Sequence, residues 1–188
     1  MKVRLAGEVQ PDSIVDGEGI RAVVWMQGCS HNCKGCHNPM THDFLGGYLT
    51  DTEEVKKQIS TIKLVDGITL SGGDPMFQIE ASYDIAKFCH SIGLNVWCYT
   101  GYTFEQLLDI SKTNSNMLDL LKEIDVLVDG KFVLEEKSAD IQFRGSRNQR
   151  IIDVPKSLKA NKAVCIKKYE VDKNVEDMNK KNSIPLFI

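Results

Sequence analysis

The stretch RAVVWMQGCSHNCKGC, residues 21–36, decides how this chain is read. Its first half, Arg21 to Gln27, is an apolar, β-branched run that predicts a buried strand. Its second half carries Cys29, Cys33 and Cys36 in a C-x3-C-x2-C spacing immediately past the strand end. Three thiols within eight residues, in a chain whose other cysteines (Cys89, Cys98, Cys165) are scattered, point to metal rather than to a disulfide framework. Thiolates are soft ligands that suit zinc or an iron–sulfur cluster. A closed zinc site needs a fourth ligand, for which His31 or His37 is at hand. A four-iron cluster usually takes four cysteines, so three leave one iron open to an external ligand. Spacing alone leaves both metals standing.

Outward from this stretch the pattern is α/β. Residues 29–48 are rich in Gly, Asn, His and Pro and read as a long functional loop. Thr50 with Glu53 predicts a capping box opening a helix to about Ile62. Gly67–Leu70 is a short strand running into Ser71-Gly72-Gly73-Asp74-Pro75, followed by a helix from about Phe77 to Ile92, with Gly93 at its C-cap. Leu94–Tyr99 is a strand ending at Thr100-Gly101-Tyr102, and Thr103 with Gln106 predicts a second capping box. Ile124–Val128 is a further strand, ending at Asp129-Gly130. Strands alternating with helices imply parallel βαβ units, whose ligands lie at the strands' C-terminal ends. Segments 28–36, 71–75, 100–102 and 129–130 should therefore converge on one rim. A strand is expected over Ala163–Tyr169, and residues 171–183 are polar enough to be loosely ordered.

Bulk properties narrow the class. The 188 residues suit one domain, whereas a complete eight-fold β/α barrel takes about 250. An incomplete, open parallel β/α barrel is expected, with a core over residues 1–156 and a C-terminal extension over 157–188. A net charge of −3 gives no general attraction to nucleic acid or to an anionic membrane. The N-terminus has no apolar core of signal-peptide length, and no apolar run approaches the roughly 18 residues of a membrane span, which makes the cytoplasm the expected compartment.

Taken together, Asp16-Gly17-Glu18-Gly19-Ile20-Arg21, the segment Gly28–Pro39, and Thr41 resemble the radical S-adenosylmethionine superfamily, and within it the activating enzymes of glycyl-radical proteins. Segments 71–75, 99–102, 128–132 and 144–150 (RGSRNQR) are similar to the activators of anaerobic ribonucleoside-triphosphate reductase. The resemblance covers about residues 10–153. It implies a [4Fe-4S] cluster on Cys29, Cys33 and Cys36. It also implies S-adenosyl-L-methionine bound near Gly35, Cys36, His37, Gly72, Gly73 and Asp74, with Gly72 and Gly73 offering backbone to the methionine amino group. The reduced cluster would cleave the C5′–S bond, and the resulting 5′-deoxyadenosyl radical would take a hydrogen from one glycine of the reductase's large subunit. The electron would come from reduced flavodoxin or a similar donor. No side chain beyond the cluster and cofactor is assigned to the chemistry. Tyr102, Arg144, Asn148 and Gln149 are candidates for substrate or partner contact, although a packing tyrosine and a solvated basic loop would look the same. Asp16 would cap a turn or hold Arg21.

One departure stands out. The family usually has proline where this chain has Glu18. A Gly-Glu-Gly there also occurs in the synthase that makes 7-carboxy-7-deazaguanine, which is the alternative small-molecule reading. Asn38-Pro39, the aspartate Asp74 and the RGSRNQR segment stand against it. A zinc-stabilised or electron-transfer module is the third reading.

Overall fold

The structure is a computed structural model and describes residues 1–170. Strands β1 (Lys2–Leu5), β2 (Gln10–Ser13), β3 (Arg21–Met26) and β4 (Tyr48–Asp51) precede helix α1 (Thr52–Thr61). Then follow β5 (Gly67–Gly72), α2 (Ile79–Ser91), β6 (Asn95–Tyr99), α3 (Phe104–Ser111), α4 (Ser115–Lys122), β7 (Val126–Asp129), β8 (Arg150–Asp153) and α5 (Val154–Ala160). The strands form one mixed sheet in the order β4-β1-β3-β5-β6-β7-β8, with β2 paired to β3 off this path. The centre, β3-β5-β6-β7, is parallel, and every other pairing is antiparallel. The fold is thus mixed α/β with a mostly parallel central sheet.

Alternation along the strands sorts side chains to two faces. Ala22, Val24 and Met26 of β3, Ile68 and Leu70 of β5, Val96 and Cys98 of β6 and Leu127 of β7 join the main core, which the helices cover. α2 contributes Ala81, Ile85, Ala86 and Cys89 to it. The opposite face carries Trp97, Val128 and Ile151, packed with Tyr99, Phe143 and Tyr169. Below them Arg21 is 1% exposed. Its Nε donates to Thr69 Oγ1, and its Nη atoms donate to the carbonyls of Glu18, Ile68 and Asn95 and to Asn95 Oδ1. None of these partners is a carboxylate, and burial lowers its pKa to about 10. The expected hold by Asp16 is absent. Asp16 instead accepts from Ser13 Oγ at 2.5 Å.

Two expected local features are replaced by longer-range ones. Thr50 does not cap α1. It pairs with Val3 in the β4–β1 ladder, Asp51 takes the N-cap position, and no side chain caps the helix. The expected strand over 163–169 is reduced to one bridge, Ile152 to Cys165, and a 3-10 turn over Lys167–Tyr169. Glu18 meets this segment. Its carboxylate accepts from Lys168 Nζ at 2.7 and 2.6 Å and from Tyr169 Oη at 2.9 Å. Arg144 Nη2 then donates to the Tyr169 carbonyl at 2.7 Å, and the Tyr169 ring meets Trp97 and Phe143 edge-on. The Thr103–Gln106 capping box is present in full. The expectation for residues 171–183 lies outside the described residues. Among the described residues, no helix is long and apolar enough to cross a membrane.

Candidate metal and cofactor site

The four segments expected on one rim meet there. Asp74 N donates to the Gly28 carbonyl at 3.0 Å, Gly73 N donates to the Met26 carbonyl at 2.7 Å, and Gly130 N donates to the Tyr102 carbonyl at 2.9 Å. Gly73 has to be glycine, because an added Cβ would strike the Gly28 backbone. Gly72 adds a positive φ of 103° and the same closeness to Met26. The sequence places two glycines here because two strand ends cross almost in contact.

Asp74 ties the rim together. It is 1% exposed. Its Oδ2 accepts from Thr100 Oγ1 and Gly101 N, both at 2.9 Å, and meets His31 Nε2 at 2.7 Å. Its Oδ1 accepts from Met76 N at 2.9 Å. The His31 ring is held by Tyr102 (centroids 4.7 Å) and Phe77 (5.6 Å). Phe77 in turn packs edge-on to Phe44. The loop carrying the three cysteines is thereby anchored to the Gly-Gly-Asp turn through its own histidine. Asp74 engages Nε2 of His31 and leaves its Nδ1 as the one ring nitrogen it could offer a metal.

Beside this rim lies a cavity of about 930 Å³. Cys29, Cys33 and Cys36 all line it, together with His37, Gly72 and Gly73. The three thiols are half-buried and unpaired. Burial raises the Cys29 pKa, and Asp74 and the two neighbouring cysteines add to the rise. Three soft donors lining one cavity, with none of the distant cysteines in its lining, fit a cluster carried by three protein ligands. Cys89 and Cys98 are buried in the core, where burial pushes the Cys89 thiol up to about 12 and the Cys98 thiol well above its ordinary value.

The remaining expected residues divide. Arg144 and Gln149 line the cavity, while Gly35, Tyr102 and Asn148 lie outside its lining. Gly35 backs onto Phe132 and Leu134. Gln149 Oε1 accepts from Gly145 N and Ser146 N, its Nε2 donates to the Gly130 carbonyl, and Asn148 donates to the Lys131 carbonyl. These polar groups fasten loop 144–150 to the rim. Arg150 does so as well, bridging Asp129 and Glu105, which raise its pKa. The sequence carries Arg150 only as part of segment 144–150 and His31 only as a possible fourth ligand; their contacts with Asp129 and Asp74 span 21 and 43 residues and have no local signal.

The chain matches the family of 4Fe-4S single cluster domains over residues 15–152. It is 33% identical over 150 residues to the anaerobic ribonucleoside-triphosphate reductase-activating protein of Haemophilus influenzae, covering 75% of this chain and 92% of that one. The protein of the same name from Escherichia coli K12 is 36% identical over 150 residues, covering 74% and 92%. That of bacteriophage T4 is 33% identical over 154 residues, covering 76% and 90%. The chain belongs to the family of anaerobic ribonucleoside-triphosphate reductase-activating proteins, built on a 4Fe-4S single cluster domain.

Proposed function

We propose that this chain is a radical S-adenosylmethionine activase that generates a glycyl radical on the large subunit of an anaerobic ribonucleoside-triphosphate reductase. The observation that carries the reading is that Cys29, Cys33 and Cys36 line one cavity together with Gly72 and Gly73. In this reading the three thiolates hold a [4Fe-4S] cluster and leave one iron open. When bound, the reduced cluster supplies the electron that splits the sulfonium bond of S-adenosylmethionine, and that cleavage supplies the hydrogen-abstracting species. Backbone at Gly72 and Gly73 receives the methionine end, and His37 flanks the nucleoside side, while Gly35 stands behind it against Phe132 and Leu134. Asp74 serves the site by fixing the cysteine loop and segment 100–101 in register, since both of its oxygens are engaged within the protein.

The sheet is the wall of an incomplete, open β/α barrel in this account. Residues 1–156 form the catalytic core and 157–188 the extension, whose first part Glu18 folds onto the core. Glu18 thus has a structural partner and gives no support to the small-molecule synthase reading. Flavodoxin or another low-potential one-electron donor reduces the cluster, in the cytoplasm. The test is anaerobic reconstitution with iron and sulfide, followed by dithionite and S-adenosylmethionine. The account expects close to four irons per chain and release of 5′-deoxyadenosine. A chain that takes up zinc alone, or that carries a cluster and releases no deoxyadenosine, contradicts it.

A further inference from the structure

The loop that follows the three cysteines carries apolar side chains on its outside. Met40 is 89% exposed, Leu45 83% and Phe44 47%. Single exposed apolar side chains are ordinary. These three stand close together on a turn whose backbone is fixed. Gln27, buried just past β3, donates its Nε2 to the Met40 and Asp43 carbonyls at 3.1 and 2.7 Å. Arg4 Nη1 donates to the Leu45 and Gly46 carbonyls at 3.1 and 3.0 Å. The carbonyls are thus held from within, and the apolar side chains are left outside. None of the three belongs to the lining of the cavity, although Asn38 and His42, on either side of Met40, do.

This turn is bonded directly to the cysteine that opens the trio. Gly28 N donates to the Thr41 carbonyl at 2.8 Å, and Cys29 N donates to the His42 carbonyl at 3.1 Å. From the exposed turn to the Cys29 thiol the route is one hydrogen bond and the bonds of Cys29 itself. Phe44 supplies a second route. Its ring lies on Gly28, where an added Cβ would fall 2.6 Å from the ring's Cδ1, so a side chain there would displace it. The half-exposed ring therefore reaches from solvent to the backbone beside Cys29. In the activase reading two kinds of visitor must reach the thiols. Cofactor and substrate need the cavity, because their atoms have to touch there. An electron needs only a short gap, and outside the cavity lining this turn is bonded to Cys29. The size of the patch agrees. A stable complex buries about 800 Å² per partner over roughly 20–30 residues, whereas electron-transfer encounters stay under about 1,200 Å² in all. Three side chains suit the second class.

We propose that Met40, Phe44 and Leu45 are the surface on which a one-electron carrier protein docks, one whose redox group reaches its own surface through an apolar rim, and that the electron enters through this turn to Cys29. The carrier is oxidised by one electron and the cluster is reduced by one; no bond forms or breaks. The proposal rests on the activase reading above for its cluster. The experiment uses the full chain, reconstituted anaerobically, and its double variant Met40→Gln/Leu45→Gln. These exchanges remove apolar surface, add no charge and fall on exposed positions, so the melting temperature should hold. Stopped-flow absorbance follows bleaching of the cluster by reduced flavodoxin and, separately, by dithionite, a small reductant that needs no docking surface. The expected result is a rate with sub-saturating flavodoxin that falls about tenfold, as an affinity weakened by about one decade gives. Iron content, the dithionite rate and, with dithionite as reductant, KM for the reductase large subunit should stay within about twofold of wild type. Leu64→Gln, at a 91% exposed position before the opposite end of β5, should keep the wild-type flavodoxin rate. A double variant reduced by flavodoxin within about twofold of the wild-type rate overturns the proposal. So does an equal fall with dithionite, which would place the effect in the surroundings of the cluster. A raised KM for the reductase with the flavodoxin rate unmoved also overturns it and gives the patch to the reductase. A wild-type cluster that dithionite reduces and flavodoxin does not reduce overturns it as well. If the reconstituted wild type holds no iron and sulfide, the activase reading itself falls, and electron entry with it.

Discussion

Asp74→Asn isolates the contact that holds the rim together. Asparagine fits the space and keeps Oδ1 for Met76 N. It puts an NH2 where Oδ2 now faces Thr100 Oγ1, Gly101 N and His31 Nε2. The threonine hydroxyl can turn and accept, and the imidazole can present its other tautomer. The Gly101 amide cannot adapt, and it is left pointing at another donor. A buried N–H without an acceptor costs about 1–3 kcal/mol, and the lost charge-assisted bond adds about 1 more. The expected loss is therefore roughly 2–4 kcal/mol. For a chain of this size about 1 kcal/mol moves the melting temperature by roughly 2–4 °C, so the variant should melt roughly 4–16 °C lower. Asp109→Asn is the control. Asp109 is 73% exposed and paired only with Lys112, so its loss should stay within about 0.5 kcal/mol. Both are measured by calorimetry on anaerobically reconstituted protein. If Asp74→Asn melts within about 2 °C of wild type, as the control should, Asp74 does not join the cysteine loop to the rim, and the reasoning fails.

Cys33→Ala should lose iron, whereas Cys89→Ala and Cys165→Ala should keep it; iron and sulfide analysis decides, and loss of iron in either of the latter two would mean that the ligands are misassigned. Burial disfavours the His90 cation, but Asp125 and Glu123, at 2.9 and 2.8 Å, outweigh it and raise the pKa. The stabilisation is then fully present below the unfolded value of about 6.5 and is lost as pH rises through the raised folded value. Melting curves of wild type and His90→Gln should accordingly converge on the alkaline side of that window; a gap that is constant with pH would refute this. Glu18 sits below the usual carboxylate range because of its bonds to Lys168 and Tyr169. Glu18→Gln should change overall stability by less than about 1 kcal/mol, since the pair is exposed. It should speed hydrogen exchange at the Ile166 and Tyr169 amides, and unchanged exchange there would show that the clasp does not hold the segment.

What the sequence disclosed and what it hid follow from the range of each interaction. The strand ends at 28, 72, 100 and 130 were legible because each is announced by glycine after an apolar run, and parallel βαβ topology brings such ends together. The Thr103–Gln106 box was legible because it is complete within four residues. Thr50 offered the same local signal and was overridden by pairing with Val3, which no local pattern shows. Asp74 could be seen only as an acid after two glycines, since its partners lie 26, 27 and 43 residues away. Glu18 looked like an anomaly because its partners, Lys168 and Tyr169, are 150 and 151 residues distant. The three cysteines declared a metal, but their orientation into one cavity with Gly72 and Gly73 required coordinates.

The most direct test of the central claim is electron paramagnetic resonance of the reductase large subunit after anaerobic incubation with this protein, S-adenosylmethionine and a low-potential reductant. The account predicts an organic-radical doublet, split by the one remaining α-hydrogen of the glycine, that collapses to a singlet when the reductase is made with α-deuterated glycine. Deoxyadenosine release with no such doublet would contradict it.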